Sequence, residues 1–452
     1  MMKKLFGTDG IRGQANSYPM TSELALKVGM AVAIVLDNRK LNTNRVVIGK
    51  DTRLSCYMLE TALTAGLSSM GKNVLLLGPM PTPAVAMLTR STRSDLGIMI
   101  SASHNPYYDN GIKIFDNKGY KLSDDLEEEI THLVNSDLSS YLVKPEKIGK
   151  VERLKESTGR YIEFVKNLFD DNFSLLGLKI VVDCANGASY KIAPVVLYEL
   201  GAEVIAIGNN PNGLNINQNC GSTHIETLKL KVLDSGADIG VAFDGDADRL
   251  IIVDEKGNII DGDKILAIIA TSWKLKNKLN NNAVVGTVMA NKGFEDYLTS
   301  IGVSLRRSAV GDRYVSEILE KEDLNLGGEQ SGHIILPKYN TTGDGLVAFL
   351  EVLNYLVNDT KHKKNPSIAF NLYNPAPQCL KNFKYSNENP LDNTSVKKYI
   401  DDITKQNPDY RILIRKSGTE KLIRVMVEGK SLDGANGLAK EIIDSIDSII
   451  SV

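Results

Sequence analysis

A repeated order of apolar and polar segments constrains the fold of this chain more than any other feature of its sequence. Short apolar runs of strand length alternate with helical stretches, and each group of runs leads into a polar loop. The runs are Arg45–Asp51, Asn73–Gly78 and Gly97–Ile100 in the first repeat, Lys179–Asp183, Glu203–Gly208 and Ile239–Phe243 in the second, and, less clearly, Ala283–Val288 and Ile334–Leu336 in the third. Strands that alternate with helices at this spacing indicate α/β units with a mostly parallel sheet.

The polar loops of the three repeats fall at corresponding places, beginning at Ser101, Asp244 and Gly327. Ligands of open α/β sheets bind beyond the carboxyl ends of the strands, so these loops can face one cleft. The pattern changes after about residue 370, where Asn374–Pro377 marks a break. Two strand-like runs and a terminal helix from about Asp433 then predict a small α+β domain.

We therefore predict an α/β fold of three similar mixed-sheet α/β/α modules followed by a smaller α+β C-terminal domain, around one central cleft. A length of 452 residues is compatible with such a division. The predicted domains are I at 1–152 with the serine loop, II at 153–253 with the acidic loop, III at 254–370 with the glycine-rich loop, and IV at 371–452 with the basic loop.

Charge and cysteine usage exclude several classes of protein. The formal net charge is −2 and the pI is near 6.3, without the basic excess of a nucleic-acid-binding protein. The four cysteines form no C-x-x-C pair, so neither zinc nor a redox motif is indicated, and buried free thiols in a reduced compartment are expected. Met1–Phe6 lacks the apolar core of a signal peptide, and no apolar run approaches a membrane span. We expect a cytoplasmic protein with neither nucleic acid nor membrane as a partner.

The acidic loop carries Asp244, Asp246 and Asp248 at alternating positions, directly after an apolar run. In an extended segment all three carboxylates point the same way, and their repulsion requires a cation. Ligands that are all oxygen suit Mg²⁺ or Ca²⁺ rather than zinc. An EF-hand is disfavoured because Arg249 stands where that calcium loop needs glycine. A solvated acidic turn is the alternative.

The serine loop contains Ser103 followed by His104, which suggests a serine hydrolase at first sight. The G-x-S-x-G signature of the α/β-hydrolases is absent, and neighbours in sequence rarely form a nucleophile–base pair. Ser103 is more consistent with a residue that carries or receives a group with help from a metal. The alternative is a turn without a chemical role.

The glycine-rich loop, Gly327 to His333, offers the donors and acceptors that bind polyhydroxylated ligands. It includes Glu329, Gln330 and Ser331. An ordinary turn with a structural histidine is the alternative, because such mixtures are common.

The basic loop and an N-terminal loop could both bind anions. Arg415, Ser417, Gly418 and Thr419, with Arg424 in the next strand, form a pattern typical of a phosphate cradle, although an exposed basic hairpin is possible. In the segment 7–13, rich in glycine, Arg12 could meet an anion or pair with an acid.

Together these five segments resemble the α-D-phosphohexomutase superfamily from end to end. The matching motifs are Phe6–Gly13, Ser101–Pro106, the three-aspartate loop, Gly328–His333 and Arg415–Glu420. Gln330 stands where glucose and mannose mutases typically have Met. With Gly119–Leu122 and the basic loop, it makes the chain resemble the branch of the superfamily that acts on glucosamine phosphates. Two positions depart from the family pattern: Lys421 replaces a usual Pro, and Ala247 replaces a common Gly and would need an unstrained φ.

This resemblance implies a reaction and a cofactor. Glucosamine 6-phosphate and glucosamine 1-phosphate would interconvert through phosphoserine at Ser103 and glucosamine 1,6-bisphosphate, which would also be the activator. One Mg²⁺ per chain would sit on Asp244, Asp246, Asp248 and the phosphate of Ser103. The product would feed the synthesis of UDP-N-acetylglucosamine and the cell wall, and bacterial relatives suggest a homodimer.

The resemblance also implies roles for the other residues. Lys113 and His333 are candidates for general acid and base, and Arg12 and Arg249 would add positive charge. The sugar would be held by Glu329, Gln330 and Ser331, and the phosphate that is not being transferred by Arg415, Ser417, Gly418, Thr419 and Arg424. Three alternatives stay open: a glucose or mannose phosphomutase, a metal-dependent phosphatase that releases free phosphate, and a sugar-phosphate-binding protein without catalysis.

Overall fold

The computed structural model describes residues 5–7, 9–39, 43–170, 172–359, 361–386, 389–416 and 421–450. The chain divides into two compact units. One comprises residues 1–290 and 301–372, and the other comprises residues 291–300 and 373–452. Within the described ranges, the first unit contains three β-sheets and the second contains one.

The first sheet has the strand order β1-β5-β4-β2-β3-β6. Its module consists of β1 (Ile11–Gln14), α1 (Ser22–Asn38), β2 (Arg45–Lys50), α2 (Leu54–Ser69), β3 (Asn73–Pro79), α3 (Thr82–Ser91), β4 (Leu96–Ile100), β5 (Asp109–Asp116), α4 (Asp124–Val134) and β6 (Val151–Arg153). Strands β3, β2 and β4 are parallel, whereas β5 and β1 run antiparallel at one side. Every residue of β4 is buried, because β4 lies between β2 and β5 in the sheet and packs against helices α2 and α3.

The second sheet has the order β11-β10-β9-β7-β8 and repeats the same plan. Its module consists of α5 (Ser157–Lys166), β7 (Lys179–Asp183), α6 (Ala193–Glu199), β8 (Glu203–Ile207), α7 (Glu226–Ser235), β9 (Ile239–Phe243), β10 (Leu250–Asp254) and β11 (Ile259–Ile260). Strand β7 lies between parallel β8 and β9, and β10 and β11 continue antiparallel. Strand β9 is buried throughout and ends directly before the acidic loop.

The third sheet has the order β13-β12-β14-β15, with β15 antiparallel at its edge. The elements along this part of the chain are α8 (Gly262–Leu275), β12 (Ala283–Thr287), α9 (Lys292–Ser300), β13 (Ser304–Ser308), α10 (Asp312–Lys321), β14 (Gly327–Gly328), β15 (Ile334–Ile335), α11 (Gly345–Asn358) and α12 (Pro366–Ala369). Helix α9 belongs to the second unit. The side chain of Asp261 caps α8, because its oxygen accepts the amide of Lys264.

The second unit contains a three-stranded antiparallel sheet of order β16-β18-β17. Its C-terminal part consists of β16 (Gln378–Lys384), α13 (Thr394–Gln406), β17 (Arg411–Lys416), β18 (Leu422–Glu428) and α14 (Leu432–Ile450). An apolar face of α14, including Leu438 and Ile442, packs with Val425 in one core.

The predicted fold class is confirmed: three mixed-sheet α/β/α modules precede a smaller C-terminal α+β domain. The expected parallel strands form most of the first two sheets, and antiparallel strands complete one side of each. The four cysteines are free and buried, as expected. Among the described residues, no helix combines the length and apolar character needed to cross a membrane.

Candidate active site

The serine loop leaves the buried strand β4 and turns sharply at Ser103. The backbone of Ser103 has a φ of 51°, a left-handed conformation that is rare for a residue with a side chain. Its hydroxyl is buried and donates a hydrogen bond of 2.5 Å to Oδ2 of Asp244. The turn therefore directs Ser103 at the acidic loop of the second module.

The imidazole of His104 lies beside Ser103, with Nδ1 3.3 Å from Oγ. Nη1 of Arg249 approaches the same nitrogen at 3.1 Å and can only donate to it. Burial and the charge of Arg249 lower the pKa of His104 to about 4. His104 is therefore a neutral imidazole near pH 7.

The three aspartates of the acidic loop converge as predicted. Asp244, Asp246 and Asp248 are buried, and one carboxylate oxygen from each lies within 4.8 Å of the others. The expectation for Ala247 was wrong, because its φ is 56° and its methyl group occupies the left-handed region. Hydrogen bonds fix this turn: the amide of Ala247 donates to the carbonyl of Asp244, and its own carbonyl accepts the amide of Gly345.

The environment of the aspartates suits a divalent cation. Oδ1 of Asp246 is buried and has no hydrogen-bond donor among the described residues. Oδ1 of Asp248 has cationic neighbours only at 3.6 Å and 3.9 Å in the part of the chain that the structure describes. Burial and the neighbouring carboxylates raise the pKa of Asp244 well above its usual value. These buried carboxylates could bind a metal, and an oxygen-only donor set is one that Mg²⁺ prefers.

Lys113 is the cation nearest to this carboxylate group. It lies in β5, and its Nζ donates to Oδ2 of Asp246 at 2.9 Å and to Oδ2 of Asp248 at 3.1 Å. Asp9 is a third partner, at 3.3 Å. Burial works against the charge of Lys113, but these carboxylates outweigh it and raise the pKa of Lys113 well above its usual value. Lys113 is therefore an ammonium ion at neutral pH.

A closed ring of alternating basic and acidic side chains connects the loops of the three modules. Nζ of Lys121 lies 2.6 Å from Oδ2 of Asp312, and the two nitrogens of His333 lie 3.6 Å from Asp312 and Asp248. Burial lowers the pKa of His333, but both carboxylates raise it, and the net shift is upward. In order around the ring, the members are Lys113, Asp9, Lys121, Asp312, His333 and Asp248.

Arg12 pairs with Asp9, which is the second of the two alternatives that the sequence left open. Burial opposes the ionisation of Asp9, but Lys113 and Lys121 lower its pKa well below the usual value. Arg12 is thus a third cationic partner of Asp9, at the edge of the ring.

The glycine-rich loop places its residues in different surroundings. Oε1 of Glu329 accepts the amide of Gly311 at 2.9 Å, and the exposed hydroxyl of Ser331 lies 3.4 Å from Oε2 of Glu329. Nε2 of Gln330 donates to Asp261 at 3.3 Å, at the start of α8. The sugar-binding role of these three residues stays a prediction.

The basic strands of the second unit contain a pair of facing arginines. Arg415 in β17 lies directly opposite Arg424 in β18. The phosphate-binding role of Arg415 and Arg424 stays a prediction, and Ser417, Gly418 and Thr419 lie outside the described residues.

Sequence reasoning missed Asp9, Lys121 and Asp312 as members of the site. Asp9 and Lys121 lie within two of the segments that resemble the superfamily, Phe6–Gly13 and Gly119–Leu122. Asp312 gave no signal, because it opens an otherwise ordinary amphipathic helix, α10.

Four family profiles match the chain in order along nearly its whole length. They are described as phosphoglucomutase/phosphomannomutase alpha/beta/alpha domain I at residues 3–140, domain II at 159–257, domain III at 261–374, and the C-terminal domain at 380–445. Two similar curated proteins are each called phosphoglucosamine mutase. The one from Brucella anthropi is 52% identical over 452 residues and aligns with 100% of this chain and 98% of its own length. The one from Agrobacterium fabrum is 52% identical and aligns with 99% of both chains.

Solved structures share the fold at lower identity. A phosphoglucomutase/phosphomannomutase family protein from Burkholderia thailandensis superposes with a TM-score of 0.81 at 23% identity, covering 99% of this chain and 98% of its own. An N-acetylphosphoglucosamine mutase from Aspergillus fumigatus, solved with GlcNAc-6P and magnesium, gives a TM-score of 0.69 at 17% identity, covering 98% and 95%.

Proposed function

The chain belongs to the phosphoglucomutase/phosphomannomutase family, and on that premise we propose that it interconverts glucosamine 6-phosphate and glucosamine 1-phosphate. Full-length identity of 52% to proteins called phosphoglucosamine mutase supports the amino sugar as substrate. The observation that carries the chemistry is the hydroxyl of Ser103, hydrogen-bonded to Asp244 within a buried group of three carboxylates. The product would supply the synthesis of UDP-N-acetylglucosamine and the cell wall.

Ser103 is proposed as the phosphoryl carrier. In the first step the bond between phosphorus and Oγ of Ser103 breaks, a bond to O1 of glucosamine 6-phosphate forms, and the O1 proton is removed while Oγ gains one. The resulting glucosamine 1,6-bisphosphate turns around. The bond between phosphorus and O6 then breaks as a bond to Oγ of Ser103 forms, Oγ loses its proton and O6 gains one, so that glucosamine 1-phosphate leaves and Ser103 is phosphorylated again. The bisphosphate therefore also serves as the activator of enzyme that has lost its phosphate.

The surroundings of Ser103 suit this transfer, which depends on positioning and on stabilising charge. Asp244, Asp246 and Asp248, with a phosphate oxygen on Ser103, would hold one Mg²⁺ per chain. When bound, the ion would neutralise charge on the transferring group. Arg12 and Arg249 add positive charge, and Lys113 and His333 are proposed to move protons to and from the sugar oxygens.

The remaining assignments are also proposals. Glu329, Gln330 and Ser331 would bind the sugar, and the phosphate that is not being transferred would be held by Arg415, Ser417, Gly418, Thr419 and Arg424. We propose a cytoplasmic homodimer with domain boundaries at 152/153, 253/254 and 370/371. The near-neutral charge balance gives no support for a nucleic-acid partner.

Substrate preference gives a direct test of the proposal. We expect ³¹P NMR of the protein with Mg²⁺ and a trace of the 1,6-bisphosphate to show the 1-phosphate appearing from glucosamine 6-phosphate. Glucose 6-phosphate and mannose 6-phosphate, run in parallel, should react at least about 10-fold more slowly, the discrimination that a single substituent commonly allows. Faster conversion of glucose 6-phosphate or mannose 6-phosphate would be consistent with the mutase reaction but would overturn the assigned substrate.

A further inference from the structure

We propose that Arg53 and Asn217 are positioning residues that hold the Ser103 loop in the conformation needed for phosphoryl transfer. The inference rests on the proposed function, since it assigns these residues a part in that same reaction. Neither residue belongs to the five motifs on which the family resemblance was based. Their contacts with the loop nevertheless converge on the same two backbone carbonyls.

Arg53 and Asn217 reach the loop from different modules of the first unit and bind it in the same way. Nη2 of Arg53 donates to the carbonyl oxygens of Ser103 and Asn105, at 3.2 Å and 2.6 Å. Nδ2 of Asn217 donates to the same two oxygens, at 2.9 Å and 3.0 Å. Each carbonyl therefore accepts two side-chain hydrogen bonds, which uses both of its lone pairs.

The backbone of the loop needs such support. A left-handed conformation at a residue with a side chain costs about 1–2 kcal/mol, so Ser103 does not keep its φ of 51° without compensation. The amide of Ser103 donates to the hydroxyl of Ser101 at 2.9 Å. Its carbonyl lies against Gly245, where an added Cβ atom would stand only 2.5 Å from the oxygen. Both polar backbone groups of Ser103 are thus fixed, which fixes the Cα–Cβ bond from which Oγ reaches Asp244.

The buried ion pair of Arg53 indicates that this residue positions the serine loop and adds little to the stability of the fold. The guanidinium is fully buried and pairs with the buried carboxylate of Asp51. That carboxylate also accepts the amide of Arg53 at 3.0 Å and the thiol of Cys56 at 3.1 Å. A buried ion pair adds little net stability, because desolvation offsets the attraction between its charges. The further hydrogen bonds of Arg53 go to the loop that carries the reactive hydroxyl.

Asn217 offers a clean experiment because the chain contains a matched control. Its φ is 56°, and that of Asn219 is 53°, so glycine fits the backbone at both positions. Asn217 is buried against the serine loop, whereas Asn219 is exposed. The backbone carbonyl of Asn219 accepts Oγ1 of Thr227, and a change of side chain does not alter that carbonyl. Asn217→Gly and Asn219→Gly therefore make the same change in chain flexibility, but only Asn217→Gly removes the two hydrogen bonds to the serine loop.

We expect Asn217→Gly to lower kcat by about 10- to 100-fold, the effect of misplacing a reacting group by a fraction of an ångström to about 1 Å. KM should change by less than about twofold, because the substrate-binding residues are untouched, and Asn219→Gly should match the unmodified protein. Steady-state kinetics would measure kcat and KM, with kcat normalised to the fraction of folded enzyme that chemical denaturation gives. A single-turnover experiment would measure the rate of phosphoryl transfer from the 1,6-bisphosphate to Ser103. Asn217→Asp, which keeps the volume but presents oxygen to both carbonyls, should lose at least as much in both rates.

The outcomes separate this inference from the proposed function. An unmodified protein that converts no sugar phosphate overturns the function and the inference with it. An active unmodified protein whose Asn217→Gly and Asn219→Gly variants share one kcat overturns the positioning role alone. If Asn217→Gly does not fold, Asn217→Asp decides the question, and an unchanged transfer rate in that variant contradicts the inference.

Discussion

Replacement of Ser103 by alanine is expected to lower kcat by about 10⁴- to 10⁶-fold, the scale on which removal of a catalytic nucleophile acts. The reason is that Oγ of Ser103 is the proposed carrier of the phosphoryl group in both half-reactions. Alanine also deprives Asp244 of a buried hydrogen bond, for which a loss of about 1 kcal/mol in unfolding free energy is expected. Ser103→Gly, which suits the left-handed backbone better, should be equally inactive.

Intact-mass spectrometry tests the same residue independently of turnover. After incubation with glucosamine 1,6-bisphosphate, the unmodified protein should gain the mass of one phosphoryl group, and Ser103→Ala should not. Ser91→Ala is a suitable control, because the hydroxyl of Ser91 donates to Leu88 within its own helix. A phosphoryl adduct that persists in Ser103→Ala would show that another residue carries the phosphate.

Replacement of Lys113 by methionine is expected to impair both stability and catalysis. The change leaves Asp246, Asp248 and Asp9 without the ammonium that lies within 3.3 Å of all three. Breaking a buried ion pair in this way lowers the free energy of unfolding by about 3–5 kcal/mol. We also expect kcat to fall by about 10²- to 10⁴-fold, the usual contribution of a positioned acid or base.

The metal proposal adds a second expectation for Lys113→Met. A divalent cation can replace the lost positive charge, so added Mg²⁺ should raise the unfolding free energy of Lys113→Met more than that of the unmodified protein. Chemical denaturation with Mg²⁺ and with a chelator measures both gains. Lys118→Met, a change at an exposed lysine shortly after β5, should behave as the unmodified protein does. The absence of any gain from Mg²⁺ in all three proteins would contradict a cation site among these carboxylates.

The sequence predicted most of the strands that deliver the site, because their hydrophobic patterns are local. Apolar runs at Gly97–Ile100 and Ile239–Phe243 became β4 and β9, which end just before the serine and acidic loops. The prediction that the carboxylates of Asp244, Asp246 and Asp248 converge is confirmed, but they converge in a turn and not in the extended segment from which the prediction was made.

The hydrophobic pattern of the sequence did not predict the contacts between modules. Thr82 supports the acidic loop from α3, since its Oγ1 donates to Oδ2 of Asp246 at 2.6 Å across 164 positions of the chain. Lys121 and Asp312 form an ion pair across 191 positions, a separation at which the sequence gives no indication of a pair. The φ of Ala247 was also unforeseen, because the energy of a left-handed alanine is offset by hydrogen bonds that only the folded loop provides.

The fate of the phosphoryl group on Ser103 tests the proposed reaction most directly. Protein carrying a radiolabelled phosphoryl group on Ser103 would be mixed with unlabelled glucosamine 6-phosphate, in a single turnover with Mg²⁺ present. We predict that the label appears in glucosamine 1,6-bisphosphate and glucosamine 1-phosphate, with the sugar isomerised and the total of sugar phosphates unchanged. Label that leaves only as inorganic phosphate would identify a phosphatase and contradict a phosphomutase that works through Ser103.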